Sequence, residues 1–149
     1  MQSDMIRVIV IDGSDSDAEI VLNQLRKARY SICPRYIADD KGLQEALIAQ
    51  EWDLILCAEK VGEFSATQVC NLVSSFKQDL PVIVLVETLD CKSLAGLLKA
   101  GAKQVIFNDN GGCLPVVVGQ ELANLSERRQ RKYLEHLYKE SQRHNKMLL

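Results

Sequence analysis

Arg7-Val8-Ile9-Val10-Ile11-Asp12-Gly13-Ser14 is the stretch whose reading decides the fold. Val8–Ile11 are four consecutive β-branched residues with no polar alternation, the pattern of a strand covered on both faces, and Asp12-Gly13-Ser14 supplies the turn that ends it. A helix is expected at once. Ser16 and Glu19 have capping-box spacing, and Ala18, Val21, Leu22, Leu25 and Ala28 recur at helical intervals, so the spacing predicts a helix over 17–29.

Working outward, the same unit repeats. Residues 31–37 read as a weak strand, placed at an edge because Pro34 cannot donate to a ladder, and Asp40 opens a helix carrying Leu43, Ala46 and Leu47. Asp53–Cys57 is a second buried strand, followed by a helix capped by Ser65 or Thr67 with Val69, Leu72, Val73 and Phe76 on one face. Pro81–Val86 is continuously apolar, as a central parallel strand should be. Asp90 caps a helix bearing Leu94, Leu97 and Leu98 that stops at Ala100-Gly101; Gln104–Phe107 makes a fifth strand, and Gly111-Gly112 leads into a last helix from about Leu114. Alternating strands and helices with short connections mean an α/β architecture: a doubly wound parallel sheet of flavodoxin-like order 2-1-3-4-5. Function is then expected where the C-terminal ends of the first, third and fourth strands converge, at Asp12–Asp17, Ala58–Phe64 and Val86–Asp90.

Composition narrows the function. The 149 residues suit one domain; 47% hydrophobic and 26% charged residues exclude a disordered or collagenous chain. Val8–Ile11 and Pro81–Val86 are far shorter than the roughly 18 residues of a membrane helix. The opening Met1–Arg7 has no apolar secretory core, so a cytoplasmic location is expected. Cysteines at 33, 57, 70, 91 and 113 form no Cys-x-x-Cys pair, which predicts neither zinc nor a disulfide framework; Cys57, Cys70 and Cys91 read as small hydrophobes in a reducing compartment. Net charge is −2, but residues 126–149 carry 7 Lys and Arg against 3 Asp and Glu, whereas residues 1–125 carry 11 against 17. An acidic body with aromatic residues in the tail limited to Tyr133 and Tyr138 argues against nucleic acid. Asp15 and Asp17 are read as favouring a helix N-terminus, none of Asp12, Asp15 and Asp17 is read as a metal ligand, and their three charges disfavour a flavin phosphate in this loop. His136 and His144 read as surface residues.

Three segments carry a family resemblance. Val8-Ile9-Val10-Ile11-Asp12 followed by Asp17-Ala18-Glu19, then Trp52-Asp53-Leu54-Ile55-Leu56, then Leu98-Lys99-Ala100-Gly101-Ala102 together resemble the receiver domain of two-component response regulators over residues 5–125. The resemblance implies a CheY-like (βα)5 fold and a phosphorelay reaction: an aspartate ending the third strand attacks a phosphoryl donor, helped by acids holding Mg²⁺, a hydroxyl ending the fourth strand and a lysine after the fifth. Metal and lysine neutralise charge on the transferring group. This sequence departs at four positions. Ala58 stands at the phosphoacceptor position, Gly13 beside Asp12 in the acid pair, Val86 at the hydroxyl position and Asn108 at the lysine position. Asp12 and Glu59 are what remains of an acidic pocket. Using Glu59 as the nucleophile would need a one-residue slip that turns Leu54-Ile55-Leu56 to the wrong face, while a fixed Glu59 charge would imitate a phosphorylated state. The expectation is a pseudo-receiver, not an enzyme, with no catalytic residue, metal or cofactor. Its rivals are an active phospho-receiver using a displaced acid and a small-molecule sensor.

Beyond Leu125 the helical pattern runs on without Gly or Pro. Leu114, Val118, Leu122 and Leu125, then Leu134, Leu137 and Leu148, make an intermittent apolar stripe, and 126–132 is wholly polar. The stripe predicts an interaction face on Leu114, Val118, Leu122 and Leu125, used for a homodimer or a signalling partner, and a division into a domain over 1–125 and a linking helix over 126–149. Residues 121–129, Glu-Leu-Ala-Asn-Leu-Ser-Glu-Arg-Arg, are similar to the end of the degenerate receiver in FimX-type GGDEF/EAL proteins. That likeness implies PAS, GGDEF and EAL domains downstream on a longer chain, with cyclic di-GMP bound there, and a role in type IV pili and twitching motility.

Overall fold

The computed structural model describes residues 5–12, 15–61, 63–87, 90–107 and 113–148, with the side chains of 15–17, 60, 107, 113 and 144–148 left aside. Along the chain run β1 (Ile6–Ile11), α1 (Asp15–Lys27), β2 (Ile32–Ile37), α2 (Asp40–Ala49), β3 (Leu54–Ala58), β4 (Lys60–Val61) and β5 (Phe64–Ser65). Then come α3 (Ala66–Ser75), β6 (Val82–Val86), α4 (Cys91–Ala100), β7 (Gln104–Phe107) and α5 (Cys113–Leu148). The main sheet has the order β2-β1-β3-β6-β7 with every pairing parallel, as expected once the small antiparallel β4-β5 hairpin is set apart. The hairpin is new: it carries Phe64 into the core from a segment that reads as a loop.

The strands are apolar on both faces because both faces are covered. Ile9, Ile11, Ile55, Cys57, Val82, Val84 and Val86 pack with the buried residues of α2, α3 and α4, while Val8, Val10, Leu54, Leu56, Ile83 and Leu85 pack with α1 and the first half of α5. Successive side chains point to opposite faces, so the unbroken apolar runs divide cleanly between two cores. Pro34 lies in β2 at the edge, where its missing N–H costs little.

Local signals fix the helix ends. Ser65 and Gln68 form a capping box on α3, Asp39 accepts from Gly42 N–H to open α2, and Asp90 accepts from Lys92 N–H to open α4. Gly101 ends α4 at φ 121°, a conformation that side chains oppose. The Ser16 cap is corrected: α1 starts at Asp15, so Ser16 is already inside it, and the Glu19 carboxylate accepts from the Tyr36 hydroxyl and from Arg26. The Tyr36 hydrogen bond, with help from Arg26, holds the Glu19 carboxyl below its usual range.

α5 is one helix of 36 residues, without a break at Leu125. No helix among the described residues is long and apolar enough to cross a membrane.

Candidate functional site

β1, β3 and β6 are neighbours in the sheet, so their C-terminal ends lie side by side: Asp12 follows β1, Ala58 ends β3 and Val86 ends β6. Ala58 pairs in register with Leu85, and Ile11 with Cys57, which sets the Asp12 and Ala58 positions at one level of the sheet. These three positions therefore lie together at one end of the sheet, and Ala58 is the last residue of β3. Gly13 and Asn108 lie outside the described residues. Asp12 and Ala58 are half-buried and Val86 is buried. Glu59 lies past the strand, exposed, with its carbonyl accepting from Ala66 N–H at 2.9 Å.

Chemically this end offers a methyl group at Ala58 and an isopropyl group at Val86, neither of which can accept or hydrogen-bond a phosphoryl group. Cys57 Sγ, one residue before Ala58, donates to the Ala58 carbonyl oxygen at 3.0 Å. Burial, then the neighbouring Cys70 and Asp12, push the Cys57 thiol far up, and burial raises Cys70 to about 11. Both stay protonated and unreactive, as small hydrophobes. Cys91 does not share that role: it is exposed at the start of α4, as is Cys33 on the edge strand. Among the described residues no group of three His, Cys, Asp or Glu side chains is placed to hold a metal ion.

The interaction face drawn from the apolar stripe is corrected. Leu114, Val118 and Leu125 are buried and Leu122 is half-buried, with Leu114, Val118 and Leu122 packed on the core formed with α1. A helix laid along the sheet spends its first apolar stripe on its own domain. Among the described residues of α5 the exposed large apolar side chains are Val116 and, beyond the polar interval, Tyr133, Leu134, Leu137 and Tyr138. His136 is exposed on the same segment, 3.8 Å from Glu140.

Sequence reasoning missed the opposite end of the sheet. Asp53, at the entry to β3, donates its N–H to the Arg7 carbonyl and accepts the Arg7 N–H on Oδ2, both at 2.9 Å. Its Oδ1 accepts from Arg129 Nη1 at 2.9 Å, and Arg129 Nη2 donates to the Trp52 carbonyl at 2.6 Å. Asp79, in the connection from α3 to β6, takes Arg128 Nε on both carboxylate oxygens at 2.9 and 3.0 Å, with Lys132 Nζ at 3.6 Å. Buried Glu121 accepts from Gln104 Nε2 at 3.0 Å, and a cleft of about 370 Å³ opens beside it, lined by Lys103, Glu121, Asn124, Glu127, Arg128 and Arg131. Pairs separated by 49 and 76 residues leave no spacing signal in the sequence. The body therefore grips α5 as far as Lys132, beyond the boundary expected at Leu125.

No sequence-family model matches the chain, and no curated protein does. Solved structures do. A response regulator from Thermotoga maritima is 22% identical, with 80% of this chain and 99% of that one covered and a TM-score of 0.68. A CheY-like response-regulator receiver protein from Methanospirillum hungatei is 13% identical, covering 84% and 99%, with a TM-score of 0.71. A third chain, in which amino acids 181–211 of the yeast Spc42 trimeric coiled coil are fused to another protein, is 16% identical and covers 95% of both at a TM-score of 0.71. The chain has the CheY-like receiver fold found in response regulators of signal transduction.

Proposed function

We propose that this chain is a pseudo-receiver: a non-phosphorylatable, non-enzymatic module that works by association and by the placing of α5. The observation that carries the reading is the pair Ala58 and Val86 at the ends of β3 and β6, where the receiver reaction calls for a carboxylate and a hydroxyl. Without a phosphoryl switch, a change of state must come from a partner with different affinities for two conformations. The association surface we assign is the exposed group Tyr133, Leu134, Leu137 and Tyr138, and the occupant is a second copy of the chain. Support for association through this helix comes from the neighbour whose chain carries a trimeric coiled-coil segment: it matches 95% of this chain, against 80% and 84% for the two response-regulator structures.

The likeness of residues 121–129 to FimX-type proteins supports a finer placing, as the regulatory part of a cyclic di-GMP signalling protein linked to type IV pili and twitching motility. In that setting the module acts in the cytoplasm and the nucleotide is bound outside it.

The test is the intact mass of the chain after incubation with acetyl phosphate and Mg²⁺. The expected result is an unchanged mass. A phosphoryl adduct on the natural chain would replace this reading with that of an active receiver using a displaced acid. For the finer placing, loss of twitching motility is expected when the module is removed from its full-length protein; unchanged motility would remove it.

A further inference from the structure

The exposed apolar group of α5 is joined to the domain by Ser126–Lys132, a stretch with no apolar side chain to bury. Ionic contacts at the N-terminal edge of the sheet do the joining. Arg128 and Lys132 reach Asp79, while Arg129 reaches Asp53 and the Trp52 carbonyl. We propose that Asp53 and Asp79 form a clamp that holds this polar stretch in register with the body and so fixes where the tip of α5 points. This deepens the reading of the chain as a module that works by placing α5, and it rests on that reading for its biological use.

Three features make the clamp a device and not a set of decorative surface pairs. The aspartate side chains are only 16% and 24% exposed, so their contacts are screened less than those of free surface pairs. Each aspartate belongs to the entry of a different central strand, Asp53 to β3 and Asp79 to β6, and Asp53 is also bonded both ways to the Arg7 backbone of β1. The direction of α5 is thereby referred to three strands at once. From Tyr133 through Arg143 every side chain is exposed, so among the described side chains none past Lys132 ties the helix to its own domain. A helix rises about 1.5 Å per residue, so the sixteen residues past Lys132 extend roughly 24 Å from the last anchor. A small change at the clamp is enlarged at the tip. Being ionic, the clamp yields to competing charge or salt, as an apolar contact would not.

The experiment is ¹⁵N relaxation on the whole chain, made in a Leu134→Glu/Leu137→Glu background so that self-association contributes no order. With the clamp intact, amides of Tyr133–Arg143 should show order parameters near the ~0.85 of rigid backbone. In Arg128→Gln/Arg129→Gln they should fall toward about 0.6, with the strand amides unchanged, and Arg128→Lys/Arg129→Lys should restore part of the order. These substitutions sit on the helix surface and spare the Asp53 bonds to Arg7; Asp79→Asn gives the same loss from the other partner. Unchanged order in the Gln variant, or a tip already mobile with the clamp intact, overturns the proposal. Neither result bears on phosphoryl acceptance, so failure of the clamp and failure of the pseudo-receiver reading are separate outcomes.

Discussion

The two ends of the sheet have been built for opposite purposes. At the C-terminal end, Asp12, Ala58 and Val86 occupy the place where a receiver does its chemistry, and two of the three present only hydrocarbon. At the N-terminal end, Asp53 holds Arg7 and Arg129 while Asp79 holds Arg128 and Lys132, two sets of charged contacts. β3 spans the distance between them in five residues, roughly 16 Å at about 3.3 Å per residue. The contrast teaches that one parallel sheet can present hydrocarbon at the ends of two central strands and gather charged side chains at the entries of the same strands.

Substitutions can sharpen or break that contrast. The largest effect is expected midway, where Leu56 is buried between β1 and β6: Leu56→Ala should cost about 2–5 kcal/mol in urea denaturation, which sets the scale for either end. Asp53→Ala comes next at about 1–3 kcal/mol, since it leaves Arg7 N–H and Arg129 Nη1 without their side-chain acceptor while Arg129 Nη2 keeps the Trp52 carbonyl. Ala58→Ser at the other end should stay within about 0.5 kcal/mol. Equal costs at Asp53 and Ala58 would erase the distinction.

The two buried thiols, Cys57 and Cys70, give a further prediction. Burial raises Cys70 from an ordinary 9.0 to about 11 and raises Cys57 further, so the folded chain keeps protons that the unfolded chain gives up. Their contribution to stability is full below about pH 9 and is lost as pH climbs toward about 11. Denaturation midpoints should fall across that window, and less so in Cys70→Ala. Iodoacetamide mapping of the native chain should modify Cys33 and Cys91 while sparing Cys57 and Cys70.

The smallest effect concerns Asp90, whose carboxyl is held below its usual value by the Ser93 hydroxyl and then by Lys92 N–H. A lowered carboxyl stabilises the fold above its unfolded pKa and loses that contribution as pH falls through the folded one. NMR titration should place its midpoint under 3.8, and Ser93→Ala should move it back up.

Most of the fold was legible because strands covered on both faces leave continuous runs such as Val8–Ile11 and Val82–Val86, and because Ser65, Asp90 and Gly101 mark helix ends by local chemistry. The C-terminal end was legible for the same reason, since its residues follow directly on those strands. Three things were not. Ser16 has the right spacing for a cap, yet α1 begins one residue earlier. Leu114, Val118 and Leu125 show a stripe but not what it faces: all three are buried, and Leu114 and Val118 belong to the core between the sheet and α1. The clamp joins residues far apart in the chain, where neither period nor spacing links a carboxylate to its arginine.

Sedimentation equilibrium on the chain and on Leu134→Glu/Leu137→Glu, over a wide concentration range, tests most directly whether the module works through the tip of α5. The account expects reversible self-association of the natural chain and a monomeric variant with the same helix content by circular dichroism. A natural chain that stays monomeric throughout, or a variant that associates equally well, would contradict it.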